Sequence, residues 1–469
     1  MADNNNARLA TGAASTDPSP AGTPSATADN TGMAPTGALR ARDAFAPAYD
    51  ETGRLLFTKA MKKDYLLLSP QMLPIHFELL RNAFISEGYR FEVLKTTHRN
   101  IVDEGLRHVH NDTCYPALLV IGQLIDALKS GKYDNDRVAL IITQTGGGCR
   151  ASNYIHLLRK AMAKAGFSHI PVVSLNLSGM EKNPGFSLNY RLVRKLINAL
   201  LYGDLMMLLA NQTRPYETVP GSTDALVESW TQRAAAAYRD GRTTPYRQVK
   251  ADFTRIVQDF AALPVAGPEK LRVGVVGEIY VKYAPLGNNS LEDFLRSEDV
   301  EVVVPGVLDF MIFKVDNRVQ DSRIYGANLL KRIGMPLFKR IFTRCQDDLI
   351  AAVKREPRFR APVRFDELAG LVKGYLGYGN KMGEGWLLTA EMLELTHSGC
   401  AGVVCTQPFG CLPNHVAGKG MMGLIKRNHP EANIVAIDYD PGASRTNQEN
   451  RIKLMLAAAR ARREEKEIM

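Results

Sequence analysis

Six cysteines in 469 residues are too few for a disulfide scaffold, yet three of them share a setting that favours thiolate chemistry. Cys411 lies in Cys405-Thr-Gln-Pro-Phe-Gly-Cys411-Leu-Pro-Asn-His415, between the apolar run from Gly402 and a helix that Pro413 opens and that apolar spacing carries through Met421, Met422 and Ile425. Cys114, in Asn111-Asp-Thr-Cys114-Tyr-Pro116, is separated by one residue from the proline that opens an expected helix over 117–129. Cys149 closes the turn Thr143-Gln-Thr-Gly-Gly-Gly-Cys149, between an expected strand at 138–142 and an expected helix over 152–165. A thiol at a helix start ionises more readily, because the dipole and the free N–H groups favour the anion, and the thiolate is the form that binds metal or attacks.

Thr143-Gln144 precedes Gly148-Cys149 much as Thr406-Gln407 precedes Gly410-Cys411, which suggests equivalent corners of two related α/β domains. The glycines Gly146, Gly147 and Gly148 allow positive φ and can turn backbone N–H groups toward an anion or cluster sulfide. Three thiolates from distant segments suit a 4Fe-4S cluster, with one iron left for water, substrate or a fourth residue, whereas tight Cys-x-x-Cys pairs would point to zinc or a ferredoxin. By spacing alone a cluster, a zinc ion and plain buried thiols all remain open.

Cys405 is a candidate fourth ligand, although it ends an apolar strand and reads more simply as core. Cys345, inside a helical pattern, and Cys400, just before a strand, read as structural thiols. His415 is within a turn of Cys411 and is either a donor to cluster or substrate or a helix cap. Glu278, Tyr280 and Lys282 follow a strand and either line the same cleft or sit on an exposed loop.

The elements that must position these residues read as an α/β chain: two Rossmann-like parallel-sheet domains, a helical bridging layer and a disordered N-terminal tail. The expected divisions are 1–55 for the tail, 56–188 and 269–444 for the α/β domains, 189–268 for the helical layer and 445–469 for a charged C-terminal helix. The tail is Ala, Thr, Ser, Asn, Asp and Pro with few large apolar residues, too little to offset chain entropy. In open α/β sheets ligands sit beyond the carboxyl ends of the strands, where these cysteines fall.

Composition narrows the classes. Apolar residues make up 45% and charged residues 23%, as in ordinary globular proteins. The net charge of +10 is spread and interleaved with Asp and Glu, so nucleic-acid binding is not expected. No run reaches the ~18 apolar residues of a membrane helix, and the N-terminus lacks a basic start with an apolar core, so a cytoplasmic protein with no membrane partner is expected. There is no Gly-x-x-x-x-Gly-Lys-Ser/Thr loop and no Gly-x-Ser-x-Gly elbow.

The segments Ser69-Pro-Gln-Met-Leu-Pro-Ile-His-Phe77, Asn111-Asp-Thr-Cys-Tyr-Pro116, Gln144-Thr-Gly-Gly-Gly-Cys-Arg-Ala-Ser-Asn-Tyr154, Gly277-Glu-Ile-Tyr-Val-Lys-Tyr283, Gln407-Pro-Phe-Gly-Cys-Leu-Pro-Asn-His415 and Asp438-Tyr-Asp-Pro-Gly-Ala-Ser444 together resemble the acyl-CoA dehydratase activase-related proteins. These are relatives of the 2-hydroxyacyl-CoA dehydratase and benzoyl-CoA reductase subunits. The resemblance spans about Asp64 to Ala458. It implies a two-domain α/β fold with a 4Fe-4S cluster on three cysteines, here Cys114, Cys149 and Cys411, that handles low-potential electrons. Larger relatives carry an ATPase activator module; this chain lacks it, so either an ATP-hydrolysing activator on a separate chain is the expected partner or the protein works without one. An acyl-CoA is the implied substrate class. A reductase, a 2-hydroxyacyl-CoA dehydratase-type lyase component and a non-catalytic accessory or assembly partner all remain compatible with that resemblance.

Overall fold

Eight short runs rich in Val, Ile and Leu form two sheets, and in each sheet all four strands are parallel. The first comprises β1 (Leu66–Pro70), β2 (Arg90–Leu94), β3 (Val138–Thr143) and β4 (Val172–Leu175), in the order β2-β1-β3-β4. The second comprises β5 (Leu271–Gly277), β6 (Val300–Val303), β7 (Gly402–Pro408) and β8 (Ile434–Tyr439), in the order β6-β5-β7-β8. Strands covered on both faces need apolar side chains throughout, and all seven residues of β7 are buried. The computed structural model describes residues 47–110, 112–145, 147–176, 180–239, 243–326 and 329–468, with the side chains of 239 and 329–331 excepted.

The two sheets have the same topology. Each chain passes from its first strand outward to the second and then back to the far side of the first. This reversal between β1 and β3, and between β5 and β7, opens a crevice at the carboxyl edge, the switch point at which such sheets bind ligands. One continuous apolar core joins the halves: it contains Leu68, Val138 and Ile142 from the first sheet and Val273, Val404 and Ile437 from the second. From Pro47 onward the chain is one compact unit.

The helical layer is wider than its sequence span. Helices Tyr190–Thr213, Ser222–Arg239 and Tyr246–Ala261 lie within the 189–268 span. They share a core, through Leu205, Phe253 and Phe260, with Ile312, Phe313, Phe342 and Leu349 from helices Val307–Ile324 and Leu329–Val353. These last two lie between β6 and β7 in the chain, so the second α/β unit contributes its own long crossover to the layer.

Residues 1–46 of the expected tail lie outside the described residues. Residues 47–55 are ordered as a turn: Tyr49 bridges Leu55, and Arg54 pairs with Asp50 and, at 2.9 Å, with Glu181. The continuous helix expected beyond Pro413 is broken. Leu412–Ala417 is followed by a 3-10 turn at Lys419–Met421 and a separate helix at Met422–Asn428, because Gly418 leaves the helical backbone at φ −99°, ψ −92°.

Candidate functional site

Each of the three thiols is placed by the end of a regular element. Cys149 follows β3 and caps the 3-10 turn Arg150–Ser152; Cys411 follows β7 and caps helix Leu412–Ala417; Cys114 caps helix Tyr115–Lys129, which feeds back into β3. All three have extended backbone and none spends its side chain on capping, so the sulfurs are left for other partners. Pro116 and Pro413 open the helices of Cys114 and Cys411, where a missing N–H does no harm.

The two halves meet at these residues. The N–H of Tyr115 donates to the carbonyl of Phe409 at 3.0 Å. A Cβ on Gly410 would stand 3.0 Å from the Cα of Cys114. A glycine in the β7 turn therefore lets the Cys411 loop pack against the Cys114 cap. From the other side, a Cβ on Gly383 would lie 4.0 Å from Cys149 Sγ and 3.0 Å from Pro413 Cγ. A negative charge on Cys149 would raise the thiols of both Cys114 and Cys411. Cys114 and Cys411 are buried and Cys149 is half-buried. The Tyr154 hydroxyl lies 2.9 Å from Cys114 Sγ.

Two carboxyl groups and an ammonium share the locale. Glu278, at the end of β5, caps the short helix Ile279–Tyr283 by accepting the N–H of Val281 at 3.0 Å. Glu384, 7% exposed, accepts the N–H of Ile279 at 3.1 Å. Lys314, from helix Val307–Ile324, donates to the carbonyl of Gly383. Withdrawal from water pushes both carboxyls above the usual carboxylate range; the Glu384 charge adds to the effect on Glu278, and Lys314 opposes it at Glu384. Burial pushes the Cys114 thiol up to about 11, against the Tyr154 hydrogen bond. Burial also raises the thiols of Cys149 and Cys411, and Glu384 and Glu278 add to both. Burial lowers the ammonium of Lys314, while Glu384 and Cys149 pull it back up.

The sequence singled out other residues with mixed outcomes. Cys405 is 0% exposed, packs with Val276 and Met392, and directs its S–H to Asn414 Oδ1 at 3.7 Å. It belongs to the core. Cys345 is buried in the helical layer, and Cys400 stands beside Ser398 just before β7. Gly147 and Gly148 are exposed, and a Cβ on Gly148 would meet Met382 Sδ at 2.6 Å; Gly146 lies outside the described residues. His415 is exposed on the last turn of its helix. Glu278, Tyr280 and Lys282 are not on an exposed loop: Tyr280 is buried with an unpartnered hydroxyl, and Lys282, 3% exposed, pairs with both oxygens of Glu391 at 2.9 and 3.0 Å. Sequence reasoning missed Glu384, Lys314 and the contact of Tyr154. For Glu384 the available signal was the pair of glycines around it, just ahead of an apolar helix.

The chemistry of the donor set leaves both free thiols and a thiolate-bound metal centre open. The buried thiols of Cys114 and Cys411 and the half-buried thiol of Cys149, beside the carboxyl groups of Glu278 and Glu384, resist ionisation on their own, whereas a coordinating cation would deprotonate a thiol outright. Among the described residues, no group of three or more His, Cys, Asp and Glu is arranged to hold a metal ion. Zinc would need such a group gathered at about 2.3 Å around one point. Cysteines that each take a different iron of a cluster need no common point, so the spread of these three is compatible with a cluster. Tyr154 and the unpartnered Tyr280 hydroxyl are further hydrogen-bond donors in the neighbourhood. No known family model matches the chain, and no curated protein matches it.

Proposed function

We propose that this protein is an iron-sulfur redox protein in which Cys114, Cys149 and Cys411 hold a 4Fe-4S cluster. It receives low-potential electrons from an ATP-hydrolysing activator on a separate chain and delivers them to a substrate, with acyl-CoA thioesters the leading class. The observation that carries the reading is the convergence of three thiols from three separate strand-end and helix-start turns of two like sheets. The resemblance in sequence motifs supports the cofactor and substrate class.

When bound, the cluster would supply one-electron chemistry at low potential and an iron open to substrate. The chain's own residues do the rest. The shared apolar core fixes the three thiols relative to one another, so the site is preorganised rather than assembled on binding. Tyr154 orients the Cys114 sulfur, and Lys314 places positive charge next to Cys149 and Glu384. Burial raises the carboxyl groups of Glu278 and Glu384 above the usual carboxylate range, which suits them to hand on protons in a reduction that consumes them.

Anaerobic purification followed by iron and sulfide analysis and EPR tests the proposal. About four irons and four sulfides per chain, reduced by substitution of Cys114, Cys149 or Cys411, are expected. A protein free of iron after strict anaerobic preparation and reconstitution overturns it.

A further inference from the structure

We infer that the cavity beside β6 is a binding site for a small aliphatic amine, whose ammonium groups pair with Asp309 and Glu394. The site stands apart from the thiols: none of Cys114, Cys149, Cys411, Glu278 and Glu384 lines this cavity.

β6 is the edge strand of the second sheet, and the cavity left between it and the surrounding helices measures about 340 Å³. That is the small end of the range for ligand pockets, roughly 300–1,000 Å³. Four helices contribute: Tyr190–Thr213 through Met207, Val307–Ile324 through Asp309, Leu329–Val353 through Leu349, and Trp386–His397 through Glu391 and Glu394. The lining runs from Arg360 and Ser398, which are exposed, to Asp204, Asp309 and Glu391, which are buried. The cavity therefore opens at the Arg360 end and closes on carboxyl groups. Val302, Val304 and Leu395 add to its apolar wall.

Five carboxyl groups line it, and two of them lack a counter-charge. Asp204 pairs with His76 at 2.8 Å and accepts the N–H groups of Val307 and Leu308 at 2.9 and 2.7 Å. Glu391 is held through both oxygens by Lys282, and Glu301 pairs with Arg360. Asp309 differs. It is 7% exposed, its Oδ1 accepts from Gln346 at 2.6 Å, and its Oδ2 has no hydrogen-bond partner among the described residues. Gln346 is itself fixed, since its oxygen accepts the Phe365 N–H at 2.9 Å. Glu394 stands three residues from Glu391 on the same helix face, and among the described residues its side chain has neither a hydrogen bond nor an ion pair. Arg272, the cation that acts on Glu394, spends its guanidinium on the carbonyl of Ser398 at 2.6 Å.

A carboxyl group kept from water is normally paired or hydrogen-bonded, so Asp309 Oδ2 and Glu394 are open acceptors on one hollow. Burial, with Glu391 and Asp204 adding to it, pushes Asp309 up to about 8, against Gln346 and Lys282. Burial and Glu391 push Glu394 up to about 7, against Arg272. Without a cation the cavity thus holds protons that an entering ammonium would displace. Among the described residues no group of three or more His, Cys, Asp and Glu is arranged to hold a metal ion, and the cavity far exceeds the ~30 Å³ share of a single water. An anion would meet carboxyl groups in excess. An alkylamine supplies N–H donors for Asp309 and Glu394 and lays its methylenes against Val302, Val304 and Leu395.

Isothermal titration calorimetry of the full chain at neutral pH tests this with 1,5-diaminopentane and its neutral isostere, pentane-1,5-diol. The diamine is expected to bind once per chain, and the diol at least about tenfold more weakly. Asp309→Asn, which keeps the acceptor for Gln346, and Glu394→Gln should each weaken the diamine at least about tenfold. Ala361→Phe, which fills the cavity and spares both carboxyl groups, should do the same. Buffers of different ionisation enthalpy should report net proton release on binding, smaller in Asp309→Asn. Urea midpoints establish that each variant is folded, and the two isosteric substitutions decide the matter if Ala361→Phe does not fold. No saturable binding up to about 10 mM diamine, a diol that binds as tightly, or an affinity unchanged in both carboxyl variants overturns the amine site. None of these results touches the cluster reading, which iron content tests separately.

Discussion

Gly385→Ala isolates how strictly the chain holds the Glu384 turn. Gly385 has φ +48° and ψ −133°, and an alanine forced into such a region carries about 1–3 kcal/mol of backbone strain. The new methyl would also stand 2.0 Å from Asn380 O and 2.8 Å from Lys381 Cα. Relieving that overlap displaces a carbonyl that accepts the Trp386 N–H at 2.7 Å. Overpacking of this kind adds about 1–3 kcal/mol, and the weakened hydrogen bond about 1 kcal/mol more. A total loss of about 3–7 kcal/mol is expected. Gly374→Ala is the control, since Gly374 also has positive φ, +85°, but nothing lies within 4 Å of its would-be Cβ; it should lose only about 1–2 kcal/mol. Both are read by pulse proteolysis in urea. Trp386, one of two tryptophans and fully buried, gives a local fluorescence signal in a Trp230→Phe background. Equal losses in the two variants would refute the claim that the approach of Asn380, and not φ alone, demands glycine at 385.

Three further outcomes follow from named contacts. Lys282→Met leaves Glu391, 3% exposed, without its counter-charge and should lower stability to urea by about 3–5 kcal/mol, most of it recovered in Lys282→Met with Glu391→Leu; a double variant no better than the single one rejects the pairing argument. Burial, with the charges of Glu391 and Asp204, pushes Asp309 up to about 8 from its ordinary 3.8, so the folded chain keeps a proton that the unfolded chain gives up. That contribution is complete below about pH 4 and is lost as pH rises toward 8, so Asp309→Asn, which retains the acceptor for Gln346, should flatten the fall in urea midpoint across that window. Tyr154→Phe removes the hydroxyl 2.9 Å from Cys114 Sγ and, in the cluster-loaded protein, should move the midpoint potential to more negative values in an EPR-monitored redox titration; an unchanged potential shows that the hydroxyl does not donate to that sulfur.

The strands were legible because strands buried on both faces must be almost wholly apolar: Val138–Thr143 and Gly402–Pro408 lie where the apolar runs put them. The three thiol turns were legible because a proline, a glycine or a strand end marks each. What could not be read has a common physical cause. Helical periodicity shows that Phe313 and Phe342 face something apolar, yet it does not say that the partner is Leu205 or Phe253, more than fifty residues away. Ile279–Tyr283 is too short for any periodicity, so the burial of Lys282 came from tertiary pairing alone. Glu384 sits in a turn whose meaning depends on two like sheets being brought together, and single-sequence patterns carry no such relation.

The shared core also limits how a substrate can reach the thiols. In a two-domain α/β protein the usual route is a hinge that opens the cleft between domains. Here Leu68, Ile142, Val273 and Val404 belong to one apolar cluster, and prising the sheets apart would expose it at roughly 25 cal/mol per Å². Access is more cheaply gained by the side chains that roof the site. Met382, next to Gly148 on a bend, and Leu412, 72% exposed at the start of the helix that Cys411 caps, can swing without disturbing a strand. Met382→Ala and Leu412→Ala should therefore speed alkylation of Cys149 and Cys411 in the metal-free protein, by mass spectrometry, with little change in urea midpoint. If access instead required the sheets to part, both substitutions would leave the alkylation rates where they were, and the rates would track global stability across variants such as Gly385→Ala.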